Sequence, residues 1–557
     1  MKRRHSRIRI IALAAAALTL AGCTSIPTSG PVEVGLKDLK QVDQIYQYKP
    51  SGPIAGASQK DLVLGFVQAA TSSVDDYATA REFLTSEYAD QWDPNLGVLI
   101  DEGSRPYEAD GEAAGILSLA AAAKVDASGD MLPVGPGPSM DMRFEFVRVG
   151  SEWRISSAPA GIILDSNTFT TIWSAHQLYF IGSGDVLVPE THWFLTRAAL
   201  ATEIIGALLE GPGERMREVV RSGFPPGTAL ATNSVPVVDG RARIDLTSNI
   251  LEASPVALAE IRQQIKTSLQ TVPGITGFDL YVEGTALRDT PSNEVDAPHL
   301  VTGSGNQAVL VGDELGTLVN GEFTPMQGFG QTLGELHPTA ISLAPDDRAA
   351  AVLNDQGVSR VDDAGTTLVD GRSGLLEPGI DPQGFLWSTA VASPELLLAA
   401  APGGNPVQVP APWLKGRSPV AVRVSVDGSR VAALVASGDG SQVLVAGIVR
   451  DERGVPLRTT EEADTKLWAS GAPLDLDWVG QLRFAALTKV GTAGKVTLGG
   501  IGLFGIEQTS VPGGAHISGG GGRTNLRVLG GDGDLFAPQG SGWQRSENDI
   551  EVLAKRG

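Results

Sequence analysis

The chain has 557 residues, with 43 Lys and Arg against 64 Asp and Glu, six His and one Cys. That length exceeds one ordinary core and predicts several domains of about 150 residues each, and 42% apolar with 19% charged residues is the composition of a folded chain. A formal charge of −21 argues against a nucleic-acid binder, a single Cys excludes a disulfide framework or thiolate cluster, and no apolar run reaches the roughly 20 residues that span a bilayer.

Residues 1–22 read as a secretory leader. Lys2, Arg3, Arg4, Arg7 and Arg9 form a cationic start without an acid, and Ile10 to Gly22 is a short apolar stretch ending in small residues. Leu20, Ala21, Gly22 and Cys23 match the lipobox of bacterial lipoproteins. Such a signal directs diacylglycerol to the Cys23 thiol, cleavage before it and acylation, as with palmitate, of the new amino terminus. The alternative, a chance cysteine in an ordinary leader, requires four coincident matches. After Arg3-Arg4 come His5 and Ser6 rather than apolar residues, so general secretion is expected over a twin-arginine route. Losing five positive charges with the leader leaves a mature chain of −26, which anionic lipid will not attract. Acyl chains hold it instead, at about 0.8 kcal/mol per buried methylene. Residues 23–56, with Pro27, Gly30, Pro31, Pro50, Gly52 and Pro53, read as a lipidated tether. The expected location is the cell membrane, lipid-anchored on its extracytoplasmic face.

Residues 57–166 read as an α+β domain. Ser58 and Asp61 form a hydroxyl cap and a returning carboxylate, with Leu62, Phe66 and Ala70 on one helical face. Tyr77 to Tyr88 reads as further helix. Phe144 and Phe146 alternate with charges, and after Gly150-Ser151 Trp153 and Ile155 repeat the alternation, which predicts a hairpin.

Residues 167–288 read as a second α+β domain. Thr196 is the expected cap of a helix bearing Leu200, Ile204 and Leu208, stopped by Gly211-Pro212. Ile244 and Leu246 bracket Asp245 in a strand. Ser254-Pro255 opens another helix, with proline where its missing N–H costs nothing. Phe278, Leu280 and Val282 alternate as a closing strand. Leu209-Glu210-Gly211-Pro212, Pro226-Gly227-Thr228, Ile244-Asp245-Leu246 and Val282-Glu283-Gly284 together resemble the GerMN domain, with which no catalytic residue is associated. Glu210 and Asp245 match its pattern and are the candidate ligand or partner contacts, set against plain helix-end and strand-turn roles.

Residues 289–557 lose their helices. Short apolar runs follow turns at positions 305, 347, 384, 428, 480 and 522, with spacings of 42, 37, 44, 52 and 42. A period near 40 to 45 residues is that of a four-stranded propeller blade, so about six degenerate blades are expected. Two tandem β-sandwiches are the alternative.

Chemistry is sparse. The sequence lacks a Gly-x-Ser-x-Gly elbow and a Gly-Lys-Ser/Thr phosphate loop, since Val496 follows Gly494-Lys495. None of His5, His176, His192, His299, His337 and His516 lies three to five residues from another. No catalytic residue, metal site or cofactor is expected. His176 and His192 share a domain, and ordinary boundary histidines are the reading set against a shared site. Gly530 to Leu535 resembles one calcium-binding nonapeptide turn, for which a blade turn is the competing reading. Acids such as Asp346, Asp347, Asp427 and Asp439 sit in turn contexts. A carboxylate pair for wall hydrolysis stays open.

A lipobox, an α+β body, a GerMN domain and a degenerate propeller, in that order, resemble the LpqB family of actinobacterial lipoproteins. Cys23-Thr24-Ser25-Ile26-Pro27 and the stretch from Trp153 to Ile162 resemble it too. The resemblance implies a non-enzymatic accessory to an envelope two-component system, acting on the extracytoplasmic domain of its sensor histidine kinase (the MtrB type). Cell-wall homeostasis and division would lie downstream. A peptidoglycan-binding or muralytic protein, with its site in the α+β half, is the competing reading.

Overall fold

The structure is a computed structural model and describes residues 50–196, 199–288, 297–303, 307–319, 322–328 and 330–556. Its first helix, Gln59–Ala69, begins at a reciprocal cap: Ser58 Oγ accepts from Asp61 N, and the Asp61 carboxylate accepts from Ser58 N. Leu62, Val63, Phe66 and Val67 are buried, and Phe66 meets Trp92 and Phe144 edge-on. The helix expected over Tyr77 to Tyr88 is instead two short ones, Ala78–Arg81 and Ser86–Gln91. Asp75, Asp76 and Tyr77 are left-handed, and Leu84 leaves the helix to pair with Ile155. A buried sheet partner overrides local propensity there.

Two four-stranded sheets complete this domain. One runs Met131–Pro133, Ala121–Asp126, Gly97–Asp101, Ile162–Asp165, and the other contains the hairpin Met140–Val149 with Glu152–Ser157. Phe144 and Phe146 point into the core from that hairpin, as their alternation predicts.

The central domain opens with a long antiparallel hairpin, Trp173–Ile181 with Leu187–Leu195. Helix Pro255–Leu269 covers it, begun by Ser254 Oγ accepting from Ala257 N. Buried Gln264 ties the two together: its Nε2 donates to Tyr179 O at 2.9 Å, and its Oε1 accepts from Gly223 N at 2.7 Å. Strands Arg241–Leu246 and Gly277–Val282 run parallel on either side of that helix in sequence, with Ile244 opposite Leu280. Helix Leu200–Glu210 has no side-chain cap, and Thr196 is not its first turn. Thr196 N donates instead to Ile172 O, binding the strand end to the preceding helix.

The rest is a propeller of six blades among the described residues, four-stranded except the fourth, whose third strand Gly440–Arg450 pairs with both Pro456–Thr459 and Asp464–Ser470. Blade 2 starts at Ala340–Leu343, blade 3 at Gly379–Ile380, blade 4 at Pro419–Val424, blade 5 at Ala472–Trp478 and blade 6 at Gly514–Ser518; these are their innermost strands. Blade 1 contributes Gln307–Val311, Glu314–Val319 and Glu322–Pro325, and takes its innermost strand, Val552–Arg556, from the other end of the chain. That strand pairs antiparallel with Gln307–Val311 and parallel with Ala340–Leu343, so it closes the ring. The turns expected at 347, 384, 428, 480 and 522 all connect an innermost strand to its second strand. Gly305, the sixth, lies outside the described residues. Turn acids bond to backbone, as when Asp381 Oδ1 accepts from Phe385 N and Asp427 Oδ1 from Ser429 N. The described residues form one compact unit.

Candidate functional site

The lipobox Leu20, Ala21, Gly22 and its Cys23 lie outside the described residues. Glu210 is exposed at the end of its helix, where Gly211 at φ 92° turns the chain away. Asp245 is buried, and its Oδ1 accepts from Gly284 N at 3.0 Å, holding a turn in which Glu283 is left-handed. His176 and His192 face one another in register across the long hairpin. Gly530 to Leu535 is the turn between two strands of blade 6, with Asp532 Oδ1 accepting from Asp534 N. Among the described residues no cluster of three or more His, Cys, Asp or Glu has metal-holding geometry.

Two charged sites emerge that have no local motif. The first lies on the propeller axis. Strand Ala472–Trp478 places Asp475 and Asp477 on one face, and each bridges to blade 6, Asp475 Oδ2 accepting from Ile517 N at 2.9 Å and Asp477 Oδ2 from Gly519 N at 2.6 Å. Lys555 of the closing strand donates to both Asp475 oxygens at 2.6 and 2.7 Å and to Leu476 O, and lies 3.2 Å from Glu377. Arg423 of blade 4 pairs with Glu377 and stands 3.7 Å from Asp475. Burial pushes Asp475 up, but Lys555 and Arg423 outweigh it and hold this carboxyl below its ordinary value. For Asp477 burial wins, and its pKa is raised to about 6. The only sequence sign is two acids alternating with apolar residues, a pattern that reads as a solvated strand face.

The second site is the junction of the three domains. Asp130 follows the turn after Ala121–Asp126, where Asp126 Oδ1 accepts from Ser128 N and Asp130 N. Gly129, at φ 85°, lets that turn dock: a Cβ there would sit 2.6 Å from Trp193 O. His192 Nδ1 meets Ser128 O at 2.7 Å and Asp130 at 3.6 Å, and its Nε2 is 3.8 Å from Glu190. Burial lowers the His192 imidazole, but Glu190, Asp130 and the Ser128 carbonyl reverse this and raise it to about 9. Asp130 is lifted to about 6, mainly by burial, and is further raised by Asp126 and Glu190 against the pull of His192 and Lys466. A cavity of about 70 Å³ opens here, lined by the acids Asp130, Glu190 and Asp464, the bases Arg215, Arg430 and Lys466, and Thr191.

Aromatic packing closes the same junction. Phe169, on helix Ser166–Ile172, packs in the N-terminal core although its sequence position falls in the second domain. Its ring lies tilted 4.7 Å from Trp193, and Phe504 of blade 5 lies 5.8 Å from Trp193 and 6.0 Å from Phe169. Trp193 Nε1 donates to Gly502 O, Arg430 to Pro189 O and Gln481 to Leu187 O.

Comparison with known proteins follows this three-part build. The family model for the N-terminal domain of lipoprotein LpqB matches residues 52–170, and that for the LpqB β-propeller domain matches 282–552. The chain belongs to the LpqB lipoprotein family. Between those matches, 177–288 fits the family described as sporulation and spore germination. Lipoprotein LpqB of Thermobifida fusca is 28% identical, covering 80% of this chain and 82% of that one. Lipoprotein LpqB of Streptomyces coelicolor is 27% identical over 87% of this chain and 86% of its own. Among solved structures, the first GerMN domain of the Bacillus subtilis sporulation protein GerM aligns with 22% of this chain and 92% of its own, at 20% identity and TM-score 0.19. A Cps50 (Swd1) propeller from Myceliophteria thermophila covers 41% of this chain and 94% of its own, at 10% identity and TM-score 0.26. No helix among the described residues is long and apolar enough to cross a membrane.

Proposed function

We propose that this LpqB-family chain is an extracytoplasmic lipoprotein, anchored through acyl chains on Cys23, that acts without catalysis as an accessory to an envelope two-component system. Its partner in this reading is the extracytoplasmic domain of a sensor histidine kinase, with consequences for cell-wall homeostasis and division. The observation that carries the reading is family membership along most of the chain, joined to a lipobox in the sequence. The build supports a binding role. A closed propeller locked to a GerMN-type body is a rigid scaffold whose loops can recognise a partner. The charged site on the propeller axis is engaged with the protein's own strands, and propeller loops remain on the surface. Anchoring both partners in one membrane raises their effective concentration.

The test is crosslinking in intact cells followed by capture of the anchored protein. A histidine kinase ectodomain is the expected partner. Recovery of only wall fragments or wall synthases overturns the reading and moves the search to the α+β half. Replacing Cys23→Ala should release a folded protein from the membrane and abolish the kinase crosslink. A crosslink that persists at full yield after release contradicts the role assigned to the anchor.

A further inference from the structure

The junction cavity combines three properties. It is small, lies where three domains meet, and is lined by three acids, Asp130, Glu190 and Asp464, and three bases, Arg215, Arg430 and Lys466. Glu190 is 6% exposed, and while its Oε2 accepts from Gly213 N at 3.1 Å, its Oε1 has no hydrogen-bond partner. Thr191 Oγ1, in a side chain equally buried, is unpartnered as well. A buried carboxylate oxygen left without a donor carries an uncompensated desolvation penalty, and natural folds leave such groups where something else satisfies them.

Among the bases, Lys466 Nζ stands 3.1 Å from Asp464, and Arg215 Nε stands 3.4 Å from the same carboxylate while its Nη1 donates to Glu462. An ammonium has three donors and a guanidinium five, so each has capacity beyond these partners. Arg430 gives Nη2 to Pro189 O, which fixes its head at the cavity wall.

Size narrows the occupant. A water needs about 10–15 Å³ of such space, so a cavity of about 70 Å³ holds a ligand of about five or six non-hydrogen atoms. Pockets for larger organic ligands start near 300 Å³, which leaves out a sugar ring or a muropeptide. A lone cation would leave the spare donors of Arg215 and Lys466 unused, and a lone anion would repel Glu190.

We propose that the cavity binds a small zwitterion of the α-amino-acid class, its ammonium against Glu190 and Asp130 and its carboxylate toward Arg215 and Lys466. The ligand would join elements of the N-terminal domain, the central domain and blade 4, and so stabilise their assembly by mass action. This site is independent of the histidine-kinase reading, because ligand binding is measured on the isolated chain.

The experiment is thermal unfolding and calorimetric titration of the full chain in detergent, with glycine, L-alanine and D-alanine as probes. Acetate, methylammonium and phenylalanine are the controls. At least one of the small amino acids should raise the melting temperature and bind at least about tenfold more tightly than acetate or methylammonium, while phenylalanine is excluded by size. Glu190→Gln should weaken binding about tenfold or more. Arg215→Gln, at a side chain 52% exposed and therefore tolerant of change, should weaken it with the fold intact. No response to any small amino acid at about 10 mM would mean a cavity holding water alone and overturns the proposal. Equal binding in both variants places the ligand elsewhere and overturns it too.

Discussion

Lys555 shows how one residue can depend on the whole ring. It is 2% exposed, lies in the last strand, Val552–Arg556, and its ammonium spans Asp475, Leu476 O and Glu377. Removing one partner of a buried ion pair leaves the other charge uncompensated, at a cost of about 3–5 kcal/mol. Lys555→Met should therefore lose stability of that order in chemical denaturation, and a loss under about 1 kcal/mol would mean that Arg423 suffices for Asp475. Protonation gives a second residue-scale prediction. Asp130 and Asp477 have folded pKa values raised to about 6 from an ordinary 3.8, so folding favours their protonated forms. Their stabilising contribution is complete below the unfolded value and is lost as pH rises through 6. His192 is raised to about 9 from 6.5, so its contribution is complete below 6.5 and disappears as pH rises through 9. All three signs agree. Stability should increase as pH falls from 9 to about 6.5. Below that His176, whose imidazole burial holds under its ordinary value, takes up a proton on unfolding and opposes the two carboxyls. Asp477→Asn should flatten the part of the curve near pH 6. A melting temperature that falls across that range contradicts the assignment.

At the level of elements, what could be read in the sequence was local. The Ser58 and Ser254 caps, the Phe144–Phe146 alternation and the turn period of the blades each depend on residues a few positions apart, and each is present in the fold. The elements left unassigned or misread from sequence depend on distant partners. Ala114–Leu119 and Ala121–Asp126 form strands although their alanines favour helix, because each pairs within a sheet. Thr196 reads as a helix cap, but a backbone bond to Ile172 takes it. Glu190 and Asp130 come together only through Gly129 docking on the hairpin, which leaves no sequence signature. The closing strand Val552–Arg556 belongs to this class, since its partners lie more than 200 residues away. Deleting it removes Lys555, opens the ring between blades 1 and 2, and exposes the strand edges of Gln307–Val311 and Ala340–Leu343. The expected result is a chain that aggregates, with its N-terminal domain still protected in hydrogen exchange. Full solubility and an unchanged propeller would show that ring closure does not need this strand.

Across the whole molecule, the question is whether three domains behave as one body. Interfaces between domains of a chain are usually modest and allow relative motion. This junction differs in kind: Trp193 is 8% exposed, packs against Phe169 of one domain and Phe504 of another, and spends its indole N–H on Gly502 O. A partner that grips the propeller would then also move the N-terminal domain, which is what an anchored accessory needs to carry a signal. Trp193→Ala removes the ring from both neighbours and should cost about 3–5 kcal/mol. Trp193→Phe keeps most of the packing and orphans only the Gly502 carbonyl, a loss of about 1–3 kcal/mol. If the junction couples the domains, the wild type unfolds in one transition and Trp193→Ala splits it in two, with a larger radius of gyration in solution scattering before the second. Trp193→Phe should shift the single transition without splitting it. Two transitions already present in the wild type would mean that the domains are joined without being coupled, and contacts to the proposed kinase partner would then have to be sought on a single domain.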